Sequence, residues 1–216
     1  MKPLREINNS LFSAMLIKTE VDKCYAVVTE DAFQLGMFFC RFQEYYESPI
    51  QGIRGQYFTW PKFISEYCKQ TKDVIFGYPV EWEGYNIPSY SIRDSMWKFD
   101  DGCEYADEMI DVYMDCYNDC ADEKFYLIGV PNTTGDTYRH EIAHALWYLN
   151  EEYNAEARRL IEAISPDEYE FSRKVLVTEG YAEDKEIIDD EIQANMLLGT
   201  SEYSDGFIKN FSKFVS

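Results

Sequence analysis

The chain holds two histidines, and they stand four residues apart in the run His140-Glu141-Ile142-Ala143-His144. On a helix, residues at that spacing project from one face, one turn above the other. Two imidazoles so placed can share one divalent cation, and imidazole suits zinc. Glu141 follows the first histidine closely enough to reach a water beside that cation and take its proton. Histidine is used nowhere else in the chain, so packing is a poor account of the pair. The spacing predicts a metal site with Zn2+ as cofactor, His140 and His144 as ligands and Glu141 as catalytic base. No cysteine lies near the pair in sequence. Structural zinc sites usually close with cysteine, so the pattern favours an open, catalytic site.

A helix that holds ligands rigidly must be packed on most sides, and the neighbouring residues fit that demand. Ile142, Ala143, Ala145 and Leu146 stand where a surface helix would carry charges, and Trp147, Tyr148 and Leu149 extend the apolar run. Asn132, Thr133, Thr134 and Asp136 offer capping side chains before the helix, and Asn150 suits its end. Upstream, the apolar residues 124–130 read as a buried strand ended by Pro131.

With no third histidine, a carboxylate is the natural third ligand, leaving a fourth position open. Two acids compete. Glu179 would close a helix that starts at Ser165-Pro166 and stops at Gly180. Glu191 would sit inside a second helix starting near Asp189 or Asp190, with Ala194, Asn195 and Leu198 on one side. A ligand in mid-helix is held more firmly, and small Ala194 permits close approach. Asn195 could then orient a ligand histidine. Glu191 is therefore favoured and Glu179 kept as the alternative. Asp189 and Asp190 rank lower, because a shorter side chain needs a closer helix. Seven of the thirteen residues from Glu179 to Glu191 are acidic, so each candidate also has a reading as a solvated charge.

The run from His140 to His144 is the HExxH pattern, and with Thr137 three residues ahead it resembles the zincins, the zinc-dependent peptidases. The metzincin division places a third histidine six residues past the second, after a glycine. Asn150 and Trp147 occupy those positions here, which excludes it. The chain is instead similar to the gluzincins over about residues 124–200. Thr178-Glu179-Gly180-Tyr181-Ala182-Glu183 looks like the third-ligand segment of aminopeptidase-type gluzincins. Asp190-Glu191-Ile192-Gln193-Ala194-Asn195 is similar to that of small bacterial repressor-clearing gluzincins. The resemblance implies a zinc metallopeptidase with a zincin-like core, peptide or protein substrates, and a strand before the active-site helix that borders the cleft and pairs with extended peptide. A tetrahedral oxyanion would need one more donor, for which Tyr181 and Tyr203 are candidates; among 18 tyrosines, either also reads as packing.

The composition bounds these readings. At 216 residues with 46% hydrophobic side chains there is ample core for one large domain or two small ones. The net charge is −20, and residues 100–123 hold ten acids and no base. Such a field repels nucleic acid and membrane surfaces and attracts basic partners. It reads as a solvated face, as a cleft tuned to cationic peptides, or as a non-catalytic acidic binding or inhibitor protein with a zincin-like fold. A DNA mimic would leave the histidine pair unexplained. Six cysteines without a recognisable signal segment read as reduced thiols in a cytoplasmic protein. Cys103, Cys116 and Cys120 form a weak second metal pattern.

The expected fold class is α+β, a mixed α/β N-terminal half (1–120, separate from or continuous with the core) and a mostly helical zincin-like half (121–216). Strands are expected at 24–28, 53–59, 74–78 and 124–130. Helices are expected at 32–46, 61–69, 104–120, 152–164, 167–178 and 207–215. An ordered loop is expected at 79–90.

Overall fold

Alternation along the strands divides the core in two. The structure, a computed structural model, describes residues 1–9, 12–99, 102–199, 201 and 203–215. Strands β1 (Lys2–Asn8), β2 (Ser13–Lys18), β3 (Cys24–Val28), β4 (Tyr85–Pro88) and β5 (Tyr126–Val130) form one mixed sheet in the order β1-β2-β3-β5-β4. β3 and β5 run parallel and the other pairs antiparallel. Successive side chains on a strand point to opposite faces. Tyr25, Val27 and Leu127 therefore join one apolar cluster, while Cys24, Ala26, Ile128 and Val130 join the other.

Helices cover both faces. The first cluster takes α1 (Ala32–Glu47), α2 (Trp60–Thr71) and α5 (Glu104–Cys120), through Phe38, Phe39, Phe63 and Met109. Two short helices, α3 (Tyr78–Glu81) and α4 (Ser89–Ser95), flank β4. The second cluster takes α6 (Asp136–Leu149), α7 (Glu151–Glu162), α8 (Pro166–Glu179), α9 (Lys185–Met196) and α10 (Ser204–Phe211). The molecule is thus α+β with a five-stranded mixed sheet. β5 comes from beyond residue 120, yet it lies between β3 and β4, so the two sequence halves share one sheet.

Several expectations need correction. Residues 53–59 form a turn followed by irregular chain rather than a strand, because Gly52 and Gly55 take positive φ (79° and 69°) and reverse the chain. Residues 74–78 form no strand either: Val74 and Ile75 are exposed and leave a sheet nothing to bury. The expected loop at 79–90 contains β4. The helix that carries Glu191, α9, starts at Lys185, before Asp189, because Asp184 caps it by accepting the Glu186 N–H at 3.0 Å. At α6 the cap residue is Gly135 and no side chain caps the helix; Asn132 instead accepts the Thr134 N–H.

The acids of α5 are less free than the sequence suggests. Arg5 pairs with Glu108 and Asp115, and Lys18 with Asp119, so β1 and β2 neutralise part of that face. Asp100 and Asp101, which open the acidic run, lie outside the described residues. All six cysteines are free thiols. Among the described residues no helix is long and apolar enough to cross a membrane.

Candidate metal centre

Helix α6 is held from behind. Ile142, Ala143, Ala145 and Leu146 are buried in the cluster beneath β5. With that face fixed, His140 and His144 point toward α9, which crosses α6 with Ala194 fully buried. Glu191, seventh of the twelve residues of α9, meets them. The two Nε2 atoms are 3.1 Å apart, and each lies 3.5 Å from an oxygen of Glu191. Donors about 2.1 Å from a tetrahedral ion stand roughly 3.4 Å from one another. The spacing therefore matches a shared cation. His144 and Glu191 are 1% and 3% exposed, and Oε2 of Glu191 is buried without a hydrogen-bond partner. An unsatisfied carboxylate oxygen beside two imidazole nitrogens fits a cation held among them. The donor set of two imidazoles and a carboxylate suits zinc. Burial works to raise the Glu191 carboxyl, but the imidazoles of His144 and His140 outweigh it and hold it below the usual value, ready to ligate. Among the described residues this is the one group able to hold a metal, and Cys103, Cys116 and Cys120 form none.

A second layer orients the first. Nδ1 of His144 lies 2.8 Å from Oδ1 of Asp190. With that nitrogen donating to the carboxylate, Nε2 keeps its lone pair for a cation. Gln193 Nε2 donates to the same Asp190 oxygen at 3.0 Å, and Tyr153 OH donates to Gln193 at 2.5 Å. The chain of bonds runs from α7 through α9 to the ring. Asp190, ranked low as a ligand, is thus the orienting group. Asn195 is not: its side chain donates to the backbone carbonyl of Glu191 at 3.0 Å. Asp190→Asn is expected to weaken zinc affinity by about 10–100-fold, measured by competition with a chromogenic chelator. Unchanged affinity would show that the ring needs no such partner.

Glu141 is placed by the sheet. It is 4% exposed, and burial pushes its carboxyl above the usual range. Its Oε2 accepts from Asn86 Nδ2 at 3.0 Å, and Asn86 Oδ1 accepts from Tyr126 OH at 2.6 Å. Asn86 stands on β4, the outer strand. β5, expected to border the cleft and pair with peptide, is paired on both sides and cannot do so. The sheet ends in β1 on one side and β4 on the other; beside the site the edge is β4, where Gln43 Oε1 already accepts the Asn86 N–H at 3.2 Å. Before β4, Gly84 lies so close that a Cβ there would stand 2.2 Å from Oε1 of Glu141. Gly84→Ala is expected to displace the Glu141 carboxylate while the histidines stay in place. Zinc content should then match the wild type, and, on the peptidase reading that the HExxH resemblance implies, peptide cleavage should fall at least about tenfold. Full activity in that variant would mean the carboxylate tolerates the shift.

A small cleft of about 60 Å3 opens here, lined by Trp82, Gly84, Tyr181, His140, Glu141 and Glu191 among others. Of the two tyrosine candidates, Tyr181 lines this cleft. Tyr203 does not, and its hydroxyl accepts the Ser165 N–H at 3.3 Å ahead of α8. Glu179 is exposed at the end of α8 and stands outside the ligand group. Sequence reasoning missed Asn86 and Gly84, because a four-residue strand ending in proline carries no readable period.

Comparison with protein-family models, with curated proteins and with solved structures finds no match to this chain.

Proposed function

We propose that the chain is a zinc-dependent metallopeptidase with a gluzincin-like core, in which His140, His144 and Glu191 hold Zn2+ and Glu141 is the general base. The observation that carries this reading is the triangle of donor atoms, two Nε2 at 3.1 Å and each 3.5 Å from Glu191, floored into an open cleft with Glu141 beside it. When bound, zinc supplies Lewis acidity, which makes water a nucleophile near neutral pH and polarises a substrate carbonyl.

The rest of the chemistry falls to the protein. Glu141 takes a proton from the attacking water and delivers it to the departing amine. Burial keeps that carboxylate basic enough for the task; Asn86 fixes one oxygen, and the other lies against Gly84. Tyr181 is the donor offered to the developing oxyanion. The substrate is a peptide or protein, and the six unpaired thiols fit a reducing cytoplasm.

Metal analysis and a peptide library test the proposal together. The purified chain should carry about one zinc, and cleavage should stop with chelator and return with zinc. A chain that takes up no zinc sinks the metal site. Zinc without cleavage of any library peptide supports the acidic binding protein instead.

A further inference from the structure

Four carboxylates line the cleft: Glu44, Glu47, Glu141 and Glu191. The proposed chemistry uses two of them. Glu44 and Glu47 remain, both on α1, and no lysine or arginine lines the cleft to balance them. Glu44 is 8% exposed, and its Oε2 is buried without a hydrogen-bond partner. Burial of a carboxylate oxygen with no donor is costly unless a donor arrives from elsewhere. Two further polar atoms on the same wall are also unpartnered, the Tyr85 hydroxyl and Trp82 Nε1. The aromatic rings of Tyr78, Trp82 and Tyr181 form the sides.

We infer that this cleft selects a cationic side chain of a peptide substrate, lysine or arginine, with Glu44 as the terminal acceptor. The ligand class rests on the peptide reading proposed above; the charge requirement rests on Glu44. A long aliphatic stem packs between the aromatic walls, and its cation meets the orphaned oxygen. Aromatic faces favour a desolvated cation over a neutral end of equal size. Glu47 already accepts from Gln43 Nε2, and burial pushes its carboxyl well above the usual range, so the charge requirement falls on Glu44. Ser48 and Tyr78 hydrogen-bond the Glu44 carboxyl, yet its Oε2 stays without a donor of its own. Burial raises its carboxyl to about 7, so the free group sits near the point where an incoming cation would hold it ionised.

The test uses fluorescent hexa-alanine peptides in which one position, scanned along the chain, is lysine or norleucine. Binding to the full-length Glu141→Gln protein is read by anisotropy, with zinc loaded and after chelation. At one position lysine is expected to bind at least about tenfold tighter than norleucine. Adding Glu44→Gln should reduce that ratio to within about twofold, with thermal melting reporting that the double variant is folded. Equal binding of the two peptides at every position overturns the inference, and this comparison needs no Glu44 variant. A preference that survives Glu44→Gln in a folded protein overturns the assignment to Glu44. Cleavage by the wild type is scored separately. A lysine preference without cleavage keeps this inference and removes the peptidase; cleavage without the preference does the reverse.

Discussion

Glu141→Gln is expected to keep its zinc and to lose peptide cleavage by roughly 10^2–10^4-fold, the range assigned to a positioned general base. The substitution is close to isosteric, so the packing of α6 against β5 is unaffected. The Gln amide oxygen can still accept from Asn86 Nδ2, which holds the side chain where the carboxylate stood. What it cannot do is accept a proton from water. The ligands His140, His144 and Glu191 are untouched, so metal content separates loss of the base from loss of the centre. Because the lost interaction belongs to the proton transfer, kcat should fall with little change in KM. A variant that keeps both zinc and cleavage would remove Glu141 from the chemistry and with it the proposed mechanism.

The contrast between Glu141 and Asn86 shows how far the sequence could be read. The pairing of His140 and His144 was legible because a helix converts spacing into geometry: residues 140 and 144 must share a face, and uncharged neighbours announce a packed helix. Glu191 over Glu179 was legible for a related reason. Gly180 ends α8 beside Glu179 and leaves it exposed, whereas Glu191 lies inside α9. The α+β class followed from alternating short apolar runs and amphipathic helices. The sheet order did not. Nothing local says that β5 inserts between β3 and β4, since that pairing joins residues about a hundred positions apart. The edge strand was hidden for the same reason, together with Asn86 and Gly84. Asp190 stands outside the ligand group, as its low rank anticipated, but its contact with His144 was not legible, because ligand and orienting roles demand the same residue type. Only the distance to Nδ1 rather than Nε2 separates them.

Removing the metal is expected to lower the melting temperature by on the order of 10 °C, and the double variant His140→Ala/His144→Ala should neither hold zinc nor respond to it. An ion that binds the folded chain alone adds about 4 kcal/mol at a thousandfold excess over its Kd. For a chain of this size each kcal/mol moves the midpoint by roughly 2–4 °C. The structure says where the energy resides. Without a cation, Glu191 keeps a buried oxygen unpaired, and two imidazole nitrogens face each other at 3.1 Å. Glu191→Met removes the carboxylate that both imidazoles face, and taking one partner out of a buried charged contact is destabilising. The metal-free Glu191→Met protein should therefore melt below the metal-free wild type, and zinc should no longer shift it. Differential scanning calorimetry with and without chelator measures all three. If the metal-free wild type melts where the zinc-loaded protein does, no cation is tied to this fold. If Glu191→Met still gains stability from zinc, the third ligand lies elsewhere.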